Sequence, residues 1–182
     1  MNLIEKQINT KIIFDGKIIK VRKDTALLPN GKTATREVVE HNGGICIAPL
    51  TENNELLFVK QFRYPYGKIL LELPAGKRDN NEDPIEGAKR ELKEETGATA
   101  KKIIPLGQLY PTVAYCDEII WLYLATGLCF GEQKLDEDEF LSVTKIPLDT
   151  AAEMVLNGEI KDSKTQVLIL KIKMMKDEGL LK

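Results

Sequence analysis

The sequence predicts a mixed α+β or α/β/α domain behind an N-terminal β-rich segment. Three observations lead there. Strand-length apolar runs, separated by turns containing glycine and asparagine, fill the first part of the chain. A helix with clear start and stop signals interrupts them at Asp83-Pro84. Strand patterns then resume, and two helical stretches close the chain. The 182 residues are 43% hydrophobic, enough material for one packed core plus a small appendage.

In order, Lys11–Phe14 and Lys17–Val21 flank Asp15-Gly16, a hairpin turn signal. Asn30-Gly31 separates Thr25–Leu28 from Thr35–His41 in the same way. Asn42-Gly43 breaks the chain before Gly44–Leu50, an apolar run suited to a buried strand. A polar turn, Glu52-Asn53-Asn54-Glu55, leads to Leu56–Phe62, and Ile69–Leu73 follows. Asp83 reads as an N-cap with Pro84 at the first helical position. Ile85, Ala88 and Leu92 fall on one stripe of that helix, and Gly97 closes it. Ile103–Leu109 and Glu118–Thr126 read as strands, the second apolar on both faces and so expected to be buried on both. Phe140–Ile146 is a further strand. Leu148–Leu156 and Asp162–Lys176 read as helices, the latter with Val167, Leu170 and Met174 on its apolar stripe. The boundary between appendage and main domain falls between residues 42 and 43.

Composition narrows the chemistry. A net charge of −2, with both signs interspersed, argues against a dedicated nucleic-acid binder. No window approaches a membrane span and MNLIEKQINT lacks a signal-peptide core, so a cytoplasmic protein is expected. Cys46, Cys116 and Cys129 are odd in number and widely spaced, which suits buried or half-buried free thiols. His41 is the only histidine and reads as a strand-end residue. A multi-histidine zinc site is therefore excluded, and no G-x-S-x-G elbow exists to form a serine triad with His41. Catalysis must come from carboxylates, Arg, Lys or a metal.

Glu91, Glu94 and Glu95 supply the carboxylates, spaced i, i+3 and i+4 on one flank of the helix. Like charges so placed repel, and a divalent cation removes that cost. Oxygen ligands without histidine or thiolate favour Mg²⁺, with Mn²⁺ as the alternative, over zinc. A solvated acidic face balanced by Lys89 and Lys93 is the competing account of the triplet taken alone. Against it stand the Gly-rich polar loop ahead of the helix and an apolar stripe that would leave the carboxylates on the opposite side, facing a cleft.

Gly76, Glu82, Arg90, Glu91, Leu92, Glu94, Glu95 and Gly97 together resemble the Nudix box, G-x5-E-x7-R-E-U-x-E-E-x-G-U, with U a bulky aliphatic. They match eight of nine defined positions over residues 76–98, and only Ala98 departs. The resemblance implies a Nudix-like α/β/α sandwich with a mixed central sheet across residues 43–182. It implies Glu91 and Glu95 as principal metal ligands, Glu94 as a third, and the Ala75 carbonyl completing the site. Gly76, Glu82, Arg90 and Gly97 are then structural, with Glu82 and Arg90 joined as an ion pair. The reaction implied is metal-assisted hydrolysis of a diphosphate bond.

Leu71-Glu72-Leu73-Pro74-Ala75-Gly76, Arg36-Glu37-Val38-Val39-Glu40-His41 and Gln61-Phe62-Arg63 are similar to the ADP-ribose pyrophosphatase group of that family. The likeness implies ADP-ribose as substrate, split to AMP and ribose 5-phosphate. Arg36 and Arg63 would grip phosphates, Glu72 would lie near the terminal ribose, and Glu118 would contact substrate. In the acidic loop Leu135-Asp136-Glu137-Asp138-Glu139, Glu137 would activate water, and Glu139 would bind metal or act as the alternative base. The likeness further implies a homodimer that exchanges residues 1–42, with Phe14 a core or interface residue or, alternatively, a candidate for stacking on adenine. Val113 stands where the group usually has proline. The alternatives are hydrolysis of another nucleoside diphosphate derivative, and a sensor that binds a nucleotide sugar without cleaving it.

Overall fold

The computed structural model describes residues 2–79, 82–135, 137 and 139–181. The chain divides into two compact units. The first holds the chain up to Gly43 together with Tyr110–Ile119. It contains β1 (Lys6–Asp15), β2 (Ile19–Leu27) and β3 (Thr33–His41), an antiparallel sheet in that order. The turn after Asp15 closes with Gly16 N–H donating to Ile19 O at 3.0 Å. Gly31 takes φ +79° in the turn after β2, the left-handed conformation that the Asn-Gly pair suggests. β2 runs unbroken through both of the short stretches that the sequence separates, because β3 pairs with it from Ile19 to Leu27. Every residue of β1 is exposed, Ile8, Ile12, Ile13 and Phe14 included.

The second unit comprises Gly44–Leu109 and the chain from Ile120 onward. Its mixed sheet has the order β7 (Ala75–Lys77), β4 (Gly44–Pro49), β9 (Ile120–Phe130), β8 (Ala98–Leu109). β4 and β9 are parallel, and the outer pairs are antiparallel. A smaller antiparallel sheet has the order β10 (Leu141–Pro147), β5 (Glu55–Arg63), β6 (Lys68–Glu72). The helices are α1 (Pro84–Thr96), α2 (Leu148–Leu156) and α3 (Ser163–Asp177).

Strand alternation sorts the core into two layers. Ile45, Ile47, Tyr123 and Ala125 face α1 and pack with Ala88, Leu92 and Ala98. Cys46, Ala48, Leu122 and Leu124 face the other way, toward Phe58 and Leu73, Ala151 of α2, and Leu168, Ile169 and Ile172 of α3. β4 is buried from end to end and β9 over Leu122–Ala125, as their two apolar faces predict. The result is the mixed α+β architecture expected from the sequence. Among the described residues no helix is long and apolar enough to cross a membrane.

Two expectations are corrected. α3 buries Thr165, Leu168, Ile169 and Ile172 and leaves Val167, Leu170 and Met174 at 36–63% exposure. Its sequence, VLILKIKMM, is apolar nearly all round, so periodicity allows two stripes and packing against the sheet selects one. Cys129 is exposed near the end of β9, while Cys46 is buried and Cys116 half-buried. β7 has only three residues, too few for any alternation to register, and it forms because β4 offers it a partner edge.

Candidate active site

α1 begins and ends as its sequence dictates. The Asp83 carboxylate accepts from Ile85 N–H at 3.0 Å, with Pro84 in the first turn. Gly97 ends the helix at φ +68°, its N–H donating to Lys93 O at 2.9 Å. The buried face is Gly87, Ala88, Glu91, Leu92 and Glu95. Glu91 and Glu95 therefore lie on the same inner side as the apolar stripe, not on the opposite, cleft-facing side expected from it. Each stands three residues beyond an inward-facing apolar residue, Ala88 or Leu92, and three residues is nearly one turn. Their burial reaches 7% and 1% exposure.

Gly76 makes room for Glu91. A Cβ built there would lie 1.9 Å from Glu91 Oε1, so the carboxylate occupies the space a side chain would fill. Beside it, Ala75 N–H donates to Glu95 Oε2 at 3.0 Å. The register Ile45↔Gly76 and Cys46↔Ala75 holds this segment on the edge of β4, in reach of the helix.

The electrostatics are those of an acidic pair short of positive charge. Burial pushes Glu95 up to about 8, the charge of Glu91 and that of Glu139 add to it, and Ala75 N–H and Arg63 oppose it. Burial likewise raises Glu91 to about 7, opposed by Arg90 and reinforced by Glu94 and Glu139. Arg90 bridges Glu91 Oε1 at 2.8 Å and Glu94 Oε2 at 2.9 Å through Nη1. Its Nε donates to Glu82 Oε1 at 3.0 Å, and those hydrogen bonds lead in holding Glu82 below its usual range. Among the described residues no group of three or more His, Cys, Asp or Glu side chains is gathered so as to hold a metal ion. The donor set still fits a hard divalent cation: it is all oxygen, buried, and stabilised in its charged form by added positive charge.

The remaining candidates divide between the units. In the second unit, Arg63 forks onto Glu72, with Nε to Oε1 at 2.6 Å and Nη2 to Oε2 at 2.8 Å. Glu139 is half-buried, and its charge reaches Glu91 and Glu95. Glu137 is exposed, while Asp136, Asp138 and the box-loop residues Asn80 and Asn81 lie outside the described residues. In the first unit, Arg36 forks onto Glu5 in an exposed ion pair, with Nε at 2.8 Å and Nη2 at 2.6 Å. Glu118 Oε1 stands 3.4 Å from His41 Nδ1, and His41 ends β3 as the sequence suggests.

Two features had no local signal. The stretch after β9 crosses the end of α1: Gly131 N–H donates to Gly97 O at 2.8 Å, Lys134 N–H to Glu94 O at 3.1 Å, and the Gln133 amide to Glu95 O. This crossing leads directly into the acidic loop. Lys164, on the first turn of α3, donates to Glu72 Oε2 at 2.6 Å across 92 residues of sequence. Spacing along the chain reveals neither contact.

Known protein families match the chain in two consecutive segments. A NUDIX domain model matches residues 40–166, and a model described as nucleoside diphosphate sugar hydrolase N-terminal domain matches residues 5–39. The chain belongs to the Nudix family. It is 41% identical over 170 residues to an ADP-ribose pyrophosphatase of Bacillus subtilis (strain 168), covering 92% of each chain. It is 40% identical over 167 residues to a methanol dehydrogenase activator of Bacillus methanolicus, covering 91% of this chain and 90% of that one. A crystal structure described as ADP compounds hydrolase matches all of both chains with a TM-score of 0.86 at 20% identity, a likeness of fold.

Proposed function

We propose that this chain is a divalent-metal-dependent Nudix pyrophosphohydrolase that splits the diphosphate link of a nucleoside diphosphate sugar. The leading substrate is ADP-ribose, cleaved to AMP and ribose 5-phosphate. One observation carries the reading: Glu91 and Glu95 are buried one turn apart, Glu91 against Gly76 and Glu95 on the Ala75 N–H, in a place where added positive charge would favour their ionised forms. Mg²⁺, with Mn²⁺ as the alternative, would be held by Glu91, Glu95, Glu94 and the Ala75 carbonyl. Once bound, such ions neutralise diphosphate charge and lower the pKa of an attacking water.

The protein's own groups do the rest. Glu137 is the candidate base, and Glu139, whose charge bears on Glu91 and Glu95, is a candidate metal ligand or the alternative base. The base takes the proton as the water oxygen bonds to phosphorus and the bridging P–O bond breaks. Arg63 and Arg36 would bind phosphate oxygens, a task suited to a planar fork of donors. Glu72 would lie near the terminal ribose, behind Arg63, and Glu118 would contact substrate. Glu82 and Arg90 brace the box loop against α1. Residues 1–42 would form the dimerisation segment, a reading supported by the wholly exposed, isoleucine-rich β1.

The test is incubation with Mg²⁺ and a panel of ADP-ribose, ADP-glucose, GDP-mannose and UDP-glucose, with nucleoside monophosphate release as readout. Turnover greatest on ADP-ribose, and abolished in a folded Glu95→Gln variant, is the expected outcome. Tight binding of a nucleotide sugar without turnover under either metal would instead make the chain a sensor.

A further inference from the structure

The end of β6 is locked to the first turn of α3 by a closed ring of side chains. Glu72 is 2% exposed, and Arg63 and Lys164 both donate to its carboxylate. Lys164, itself 13% exposed, also pairs with Asp162 Oδ1 at 2.9 Å. Asp162 Oδ2 accepts from Thr165 N–H at 3.0 Å and so caps α3. Thr165 Oγ1 accepts from Leu73 N–H at 2.9 Å, which returns the ring to the residue after Glu72. Two cations and two carboxylates balance in it. Arg63 differs from the others in keeping 35% of its side chain at the surface, anchored from beneath by a buried carboxylate.

We propose that Lys164 is a positioning residue for substrate binding, acting through Glu72 to hold the Arg63 guanidinium at the surface where it meets the anionic part of a nucleoside diphosphate sugar. The inference rests on the activity proposed above. Its physical basis is the sharing of one buried negative charge between two cations. With Lys164 in place, Glu72 is neutralised from the α3 side, and Arg63 need supply only part of the counter-charge. Without it, a buried carboxylate would depend wholly on Arg63, and the guanidinium would be drawn inward to serve it. Asp162 would lose its partner at the same time. Arginine at 164 would restore the charge and the donors to both carboxylates, whereas methionine keeps only the stem.

Steady-state kinetics on the best nucleoside diphosphate sugar, with melting temperature and circular dichroism as folding controls, test this. Lys164→Met is expected to raise KM on the order of tenfold while kcat stays within about threefold. Lys164→Arg should recover most of the loss. In a Glu72→Gln background, Lys164→Met should add less than about twofold to KM, because the path through Glu72 is already cut. Should Lys164→Met fail to fold, Lys164→Gln carries the same comparison. A folded Lys164 variant with wild-type KM, or one whose effect multiplies fully with that of Glu72→Gln, overturns the role. A wild-type chain that turns over none of these substrates sinks the proposed activity and this inference together, whereas an active wild type beside an unaffected Lys164 variant sinks the inference alone.

Discussion

Gly76 shows how much one absent side chain can decide. Its missing Cβ is the space in which the Glu91 carboxylate sits, 1.9 Å from where that carbon would be. Gly76→Ala should therefore displace Glu91 without unfolding the sheet, since β7 pairs with β4 through backbone groups that alanine retains. Turnover is expected to fall on the order of tenfold or more, with Mg²⁺ needed at higher concentration. A Mg²⁺ titration of activity matching that of the wild type would contradict this. The box spacing made Gly76 legible in the sequence. That it shelters Glu91 in particular was not, because the contact joins a strand to a helix fifteen residues on.

Elements carry the next layer. The bounds of α1 were readable, because caps and breakers act within a few residues of themselves: Asp83, Pro84 and Gly97 hold their predicted places. Gly97 has a second function visible only in the fold. A Cβ there would lie 2.5 Å from Gly131 O and 2.9 Å from Gln133 N, on top of an unfavourable positive φ. Gly97→Ala should cost about 2 kcal/mol or more in denaturant unfolding. It should also disturb the chain that leads into the acidic loop, so activity should fall further than the stability change alone explains. The junction of β6 and α3 yields a prediction in pH. Burial pushes the Glu72 carboxyl up, but Arg63 and Lys164 more than offset that and hold it at about 2, against 4.5 unperturbed. A depressed carboxyl contributes stability that is fully present above 4.5 and is lost as pH falls toward 2. The stability difference between wild type and Glu72→Gln should therefore shrink over that interval, by up to about 3 kcal/mol. A difference that stays flat from pH 5 to pH 2 would refute the assignment.

At the scale of the molecule, the exposed strand β1 bears on assembly. Ile8, Ile12, Ile13 and Phe14 are each about half exposed or more, on a sheet with no buried residue in its first strand. An exposed strand carrying this many apolar side chains is a pairing liability unless another surface covers it. Sedimentation equilibrium at micromolar concentration should give a dimer, and Ile12→Lys with Ile13→Lys should shift it toward monomer. A monomeric wild type would remove the reason for reading residues 1–42 as a dimerisation segment.

The sequence alone determined the class of fold, the course of α1 and the identity of the clustered glutamates, since these depend on periodicity, caps and spacings that act over a few residues. It left α3 ambiguous, because a helix apolar on most sides can present either of two faces, and only packing against the sheet chose Leu168, Ile169 and Ile172. Tertiary structure decided the burial of Glu91 and Glu95 on the inner face of their helix, the fork of Arg63 on Glu72, and the hold of Lys164 on Glu72. Those contacts join residues up to 92 positions apart. Proximity of that kind arises when strands and helices pack into layers, and no local pattern in the chain encodes it.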